Sequence, residues 1–230
     1  MALPKIDVPT FDLELPGTDT KYKFRPFLVK EDKLLTLALS SGEIPDMLNA
    51  CRQIIENCSF NKVDTKELPM YLIQWIFLQL RAKSVGETFS FSLRCGGCEE
   101  TMNYECKTSD FEVVNLDSDI SNKIELSESA GIVLKHPTCM VEAELEEMED
   151  IEVIRCCTNY IYNGDEIIQS EDIPSEEFVE FIESMPIHVK DKIVEYLGNK
   201  PYLEHMVNFK CKGCDTDNQV SINGYEHFFV

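Results

Sequence analysis

The residues best suited to chemistry in this chain are two cysteine pairs. Cys95-Gly-Gly-Cys98 and Cys211-Lys-Gly-Cys214 both have the CxxC spacing. Two such turns offer four thiolates, the donor set of a closed tetrahedral zinc-ribbon site. Gly96, Gly97 and Gly213 let the backbone fold tightly around an ion. Closed coordination leaves no open position, so a zinc held this way is structural and not catalytic. Two other readings use the same residues. Each turn can simply carry reduced thiols, or a CxxC can be a thiol redox centre. The redox reading requires a helix that begins at the motif and lowers a thiol pKa. Strand-like residues flank both turns, which leaves no helix dipole to do so.

The turns are far apart: 112 residues separate Cys98 from Cys211. Closing a loop of that length costs roughly 4 kcal/mol. Structural zinc in small peptides is worth about 10–16 kcal/mol, so a discontinuous ribbon is feasible. The other six cysteines read as packing. Cys51 and Cys58 share the apolar stripe of one helix, and the adjacent Cys156 and Cys157 cannot both reach one ion from a helix. Cys106 and Cys139 have no favoured role. His136, His188, His205 and His227 fit no metal spacing, although His205, six residues before Cys211, is an alternative ligand. No phosphate-binding glycine loop, nucleophile elbow or kinase motif occurs.

The elements that must position these thiols follow from periodicity. Residues 1–20 read as an irregular arm. Tyr22–Phe27 reads as a strand, and helices are expected over 30–41, 44–58 and 68–84. Strands over 88–94 and 101–106 flank the first CxxC, and strands over 205–210 and 219–222 flank the second. Between them lie an acidic loop (115–129), a strand pair (131–134 with 139–143), a helix over 146–160, an extended piece at 166–168, and two helices from Ser175 and Pro186. The expected fold is α+β: a mostly helical domain combined with a discontinuous four-Cys zinc-ribbon β module. Its divisions are an arm (1–20), a strand plus helical part (21–85), the ribbon (86–113 and 203–230), and an insertion (114–202).

Composition narrows the function. The chain has 230 residues, 43% hydrophobic and 27% charged, an ordinary globular balance. Its 42 Asp and Glu against 21 Lys and Arg give a net charge of −21. That counts against nucleic-acid or anionic-membrane binding, and the basic clusters Lys21/Lys23/Arg25 and Arg81/Lys83 are too small to reverse it. No apolar run is long enough to span a bilayer, and the N-terminus lacks a signal-peptide pattern, so a reducing cytoplasm is expected and disulfides are not. The carboxylates from Glu142 to Glu152 read as a solvated helix start, or as a docking face for a basic partner.

Two longer stretches carry a resemblance. Phe24-Arg-Pro-Phe-Leu-Val-Lys-Glu-Asp-Lys-Leu-Leu35 and Phe77-Leu-Gln-Leu-Arg-Ala-Lys-Ser-Val-Gly-Glu87, with the two CxxC turns and the closing Gly224-Tyr-Glu-His-Phe-Phe229, resemble the T4-type phage baseplate hub protein family. The resemblance runs from about residue 20 to the end. It implies a non-enzymatic protein of a contractile tail, a hub component or hub assembly factor whose partners are other hub or tail proteins. It implies a place in the host cytoplasm during assembly or in the virion tail, leaves the oligomeric state open, and carries over no catalytic residues. The rival readings are a zinc-ribbon regulatory binding module and a CxxC redox enzyme. In the tail, Tyr225, Phe228, Phe229 and Val230 read as an anchor for the ribbon or for a partner.

Overall fold

The computed structural model describes residues 6–223, which form seven helices and eleven strands. The chain divides into two compact units, Met1–Val114 with Tyr202–Val230, and Asn115–Pro201.

The first unit opens with an antiparallel pair, β1 (Phe11–Glu14) and β2 (Lys21–Phe24). This corrects the expectation of an irregular arm. Phe11, Leu13 and Leu15 alternate with carboxylates, and the turn is closed by the Leu15 N–H on the Thr20 carbonyl at 3.2 Å. Leu15 and Phe24 are buried, and the Phe11 ring stacks on Phe24 at 6.2 Å. Three helices follow: α1 (Val29–Ser41), α2 (Ile44–Cys58) and α3 (Met70–Ser84). Gly42 ends α1 in the left-handed conformation, φ 72°. The α2 stripe of Leu48, Cys51, Ile54, Ile55 and Cys58 is buried, as is most of α3. The chain then forms the hairpin β3 (Thr88–Arg94) and β4 (Thr101–Lys107), followed by β5 (Glu112–Val114).

The second unit is a four-stranded antiparallel sheet with helices against one face. Its strands are β6 (Lys123–Glu125), β7 (Ala130–Leu134), β8 (Thr158–Asn163) and β9 (Glu166–Gln169), in that order across the sheet. Its helices are α4 (Cys139–Glu144), α5 (Asp150–Cys156), α6 (Ser175–Glu183) and α7 (Ile187–Gly198). Ile124, Ile132, Leu134 and Ile161 of the sheet share one core with Phe178, Ile182 and Ile193 of α6 and α7.

Three expectations are corrected in this unit. Residues 139–143 are a helix and not a strand, because the Thr138 hydroxyl accepts the Val141 N–H at 3.4 Å and caps it. The helix expected over 146–160 ends at Cys156. Beyond it Thr158, Tyr160, Ile161 and Tyr162, β-branched or aromatic, pair as a strand with β7. The acidic loop 115–129 contains β6, which buries Ile124. Ser175, at the start of α6, does not cap it. Its hydroxyl accepts from Arg155 at 2.9 Å instead, and Pro174 holds the cap position.

The chain returns to the first unit as β10 (Tyr202–Lys210) and β11 (Asp217–Asn223), giving a sheet ordered β11-β10-β5. Residues 224–230, with the aromatic tail, lie outside the described residues.

The two stretches that carry the family resemblance meet in the first unit. Phe27 packs its ring on Phe77 at 5.6 Å and donates its N–H to the Ser84 hydroxyl at 2.8 Å. Beside them is a buried ion pair. Arg25 donates to both carboxylate oxygens of Glu31, at 3.1 and 3.0 Å, with side chains 8% and 0% exposed. Glu31 also accepts the Leu28 N–H at 2.9 Å, which satisfies a free amide at the start of α1. Burial alone would raise the Glu31 carboxyl. Arg25, the Leu28 amide and Lys30 outweigh it and hold the group below the usual carboxylate range. A carboxylate depressed in the folded state contributes stability above its unfolded pKa and loses it as pH falls through the folded value. Removing one partner of such a pair costs about 3–5 kcal/mol. Glu31→Gln should therefore unfold at markedly lower denaturant, and its stability should fall less steeply on acidification than that of the parent. Arg25→Met/Glu31→Leu should recover part of the loss. Urea titrations across the acid range check all three outcomes.

Candidate metal centre

Each CxxC sits at the tip of a hairpin, the first between β3 and β4 and the second between β10 and β11. The two tips are built alike. The Cys95 N–H donates to the Glu100 carbonyl and the Glu99 N–H returns to the Cys95 carbonyl, at 2.9 and 3.0 Å. In the second tip the Cys211 N–H donates to Thr216 and the Asp215 N–H to Cys211, at the same two distances. Glu99 and Asp215 occupy matching left-handed positions, φ 63° and 57°. The amides of Gly97 and Gly213 each turn inward onto the first sulfur of their own motif, at 3.3 and 3.4 Å.

The tips face one another. The Cys95 and Cys214 sulfurs are 3.6 Å apart, as are those of Cys98 and Cys211, and all four lie within 4.8 Å of one another. Four thiolates around one zinc at about 2.3 Å would stand about 3.8 Å apart. The cluster is therefore compatible with a metal ion, and its spacing is well beyond a disulfide bond. Cys95 and Cys211 are buried, while Cys98 and Cys214 are exposed.

Polar neighbours already favour thiolate at two of the four. The amides of Cys98 and Gly97, with the Asn218 side chain, hold Cys95 down to about 6. The hydroxyl and amide of Thr216 lower Cys214. At Cys98 the Glu100 amide acts downward, but the adjoining sulfurs of Cys214 and Cys211 prevail and push it up to about 12. Four sulfurs this close cannot all ionise without a cation among them.

Asn218 is a part of the site that the CxxC pattern does not disclose. Its amide donates to the Cys95 sulfur at 3.5 Å and its oxygen accepts the Gly96 N–H at 2.9 Å, stitching one tip to the other. It lies four residues past Cys214 on a strand, and only the meeting of the hairpins gives it a role.

The remaining candidates lie elsewhere. His205 faces Ile222 across the β10–β11 ladder and packs beside Phe111 and Tyr104, at 5.3 and 6.1 Å, outside the cluster. Cys51, Cys58, Cys106 and Cys157 are buried, and burial pushes the last three up to about 11, 12 and 12. Among the described residues the four thiols form the one cluster of three or more metal-ligating groups. No helix starts at either CxxC: β4 follows one and β11 the other. Among the described residues no helix is long and apolar enough to cross a membrane.

A family model described as T4 bacteriophage base plate protein matches residues 8–230. The chain belongs to this family. Membership supports a structural role in the phage baseplate, in association with the virion tail and with other tail or baseplate proteins. No curated protein and no solved structure matches the chain.

The glycines of this baseplate protein offer a direct test of the site's geometry. A Cβ at Gly97 would stand 2.7 Å from Thr216 Oγ1 and 3.4 Å from the Cys214 sulfur, whereas one at Gly96 meets only Asn218 Oδ1 at 3.5 Å. At Gly213 the obstacle is the end of the Glu100 side chain, which can swing aside. Gly97→Ala should cost about 1–3 kcal/mol, Gly213→Ala less, and Gly96→Ala little. Thermal melting of the three variants checks the order.

Proposed function

We propose that the chain is a non-enzymatic component or assembly factor of the baseplate hub, acting by protein–protein binding and held in shape by one structural zinc on Cys95, Cys98, Cys211 and Cys214. The observation that carries the metal is the meeting of two like-built hairpin tips from opposite ends of the insertion. In each, a glycine amide is aimed at a sulfur, as a thiolate pair under a cation requires. The four residues would hold the ion in a closed set, and the ion would supply cross-linking and charge neutralisation. The discontinuous zinc ribbon then comprises the β3–β4 and β10–β11 hairpins. The hub role rests on the family and on the two linear motifs whose residues meet at Phe27, Phe77 and Ser84. The absence of a helix at either CxxC supports a structural over a redox use of the thiols.

Protein purified under reducing conditions should contain about one zinc per chain. Replacing Cys95 and Cys98 with Ser, or Cys211 and Cys214, should remove the metal and lower the melting temperature alike. All four replacements together should do little more, because half a site holds little metal. Metal analysis with melting of the three variants reads this out, and equal, additive losses would mean two independent turns.

Hub assembly supplies the functional test. Infection or reconstitution without this chain should stop at unfinished baseplates, visible by electron microscopy. At −21 net charge, capture by a hub partner should slow as salt rises. Normal baseplates formed in its absence would defeat the hub role.

A further inference from the structure

The second unit holds most of the protein's negative charge. Residues 115–201 contain 21 Asp and Glu against six Lys and Arg, a net of −15, while the rest of the chain carries −6. The distribution within that unit is sharper still. Between Arg155 and Lys190 there are eight carboxylates and no Lys or Arg. That stretch builds one open sheet edge and the groove beside it.

The edge is β9, Glu166-Ile-Ile-Gln169, and all four of its residues are exposed. It pairs with β8 on one side only and ends the sheet order β6-β7-β8-β9. Edge strands are ordinarily blunted by Lys, Pro or a bulge. This one is short, four residues, and carries Glu166, but it has no Lys, Pro or bulge, and it presents Ile167 at 59% exposure and Ile168 at 36%. The two-residue turn Gly164-Asp165 makes Asn163 and Glu166 a hydrogen-bonded pair, so the Ile167 N–H and C=O point away from β8. Beside the edge is an apolar groove of about 420 Å³, floored by Ile161, Ile168, Ile173 and Phe181. Asp172 and Glu177 line it too, and both are exposed. The neighbouring cation, Arg155, is engaged by the Ser175 hydroxyl and the Ile173 carbonyl at 2.9 and 2.6 Å, leaving the rim carboxylates uncompensated by it.

We infer that β9 and this groove dock an extended basic segment of a partner protein, which adds to the sheet as a further strand. Backbone pairing would satisfy the outward groups of Ile167. Every second side chain would face the groove, apolar ones meeting its floor and Lys or Arg among them meeting Asp172 and Glu177 at its rim. The reading deepens the hub proposal by naming the chemistry of its partner. It rests on that proposal only for the partner's identity.

The test uses the full chain and defined probes. A peptide of about eight residues whose groove-facing alternate positions carry Val and Lys in turn, with Ser between them (the Lys-Val peptide), should bind saturably and shift the amide resonances of Glu166–Gln169. A Lys-Ser peptide of equal charge should bind more weakly, and a Glu-Val peptide not at all. Asp172→Lys/Glu177→Lys, on exposed positions, should weaken Lys-Val binding about tenfold or more. Ile167→Pro, at an outward N–H where an edge strand tolerates proline, should abolish it while leaving the spectrum of the core in place. Equal binding of the Lys-Val and Lys-Ser peptides would mean plain polycation attraction and overturn the inference. No binding, or shifts confined to residues outside β9 and the groove, would overturn it as well. These readouts concern the second unit, so they fail or succeed independently of the zinc and assembly measurements.

Discussion

The antiparallel pairing of β5 with β10 is the constraint on which the candidate centre depends. Val114 faces Tyr202, so the chain leaves the first unit and re-enters it at adjacent positions of one sheet. With that register in place, the path between the two CxxC turns shortens to 16 residues from Cys98 to Val114 and nine from Tyr202 to Cys211. The entropy saved is small, about 1 kcal/mol, because loop closure grows only as the logarithm of length. Orientation is the larger consequence. One register sets where β10 begins, the β10–β11 ladder sets where its tip falls, and that tip arrives opposite the tip of β3–β4.

The two tips then form a single object with near-twofold logic. Each supplies a buried first cysteine, an exposed second cysteine, an amide aimed at sulfur, and a residue laid over the glycine of the other: Thr216 on Gly97, and Glu100 on Gly213. Asn218 joins them. Repulsion among four sulfurs is what a cation would relieve. The charges that would disfavour four thiolates together are those that a bound cation would neutralise.

Charge is organised elsewhere with equal economy. Of the basic residues near the N-terminus, Lys21 pairs with Glu14 and Arg25 is spent on buried Glu31. Two of the three cations of the Lys21/Lys23/Arg25 cluster are therefore already engaged within the fold. Glu142, within the acidic run 142–152, is bound by Lys200 and is therefore part of the second unit's own structure. The carboxylates from Asp165 to Glu183 are mostly solvated and unpaired with a cation of the described residues, beside an open strand edge. An acidic chain whose two units differ this much in charge suits a part that must stay apart from its own copies and still be captured by basic neighbours.

Much of this was legible in the sequence. The alternation of Phe89, Phe91 and Leu93, the helical stripe from Ile44 to Cys58, and the CxxC spacing are local signals. They suffice to foresee β3, α2 and the α+β class and to single out the two CxxC pairs. The sequence alone also determined the charge of −21 and the family motifs. Other features were decided only in three dimensions. Residues 158–160 read as the end of a helix in the sequence, and pairing with β7 makes 158–163 a strand. Residues 139–143 turned helical because one hydroxyl capped them. Glu31 and Asn218 gained their roles from partners brought alongside by tertiary packing. Local propensity operates over a few residues, whereas register, burial and the meeting of distant hairpins are properties of the packed whole.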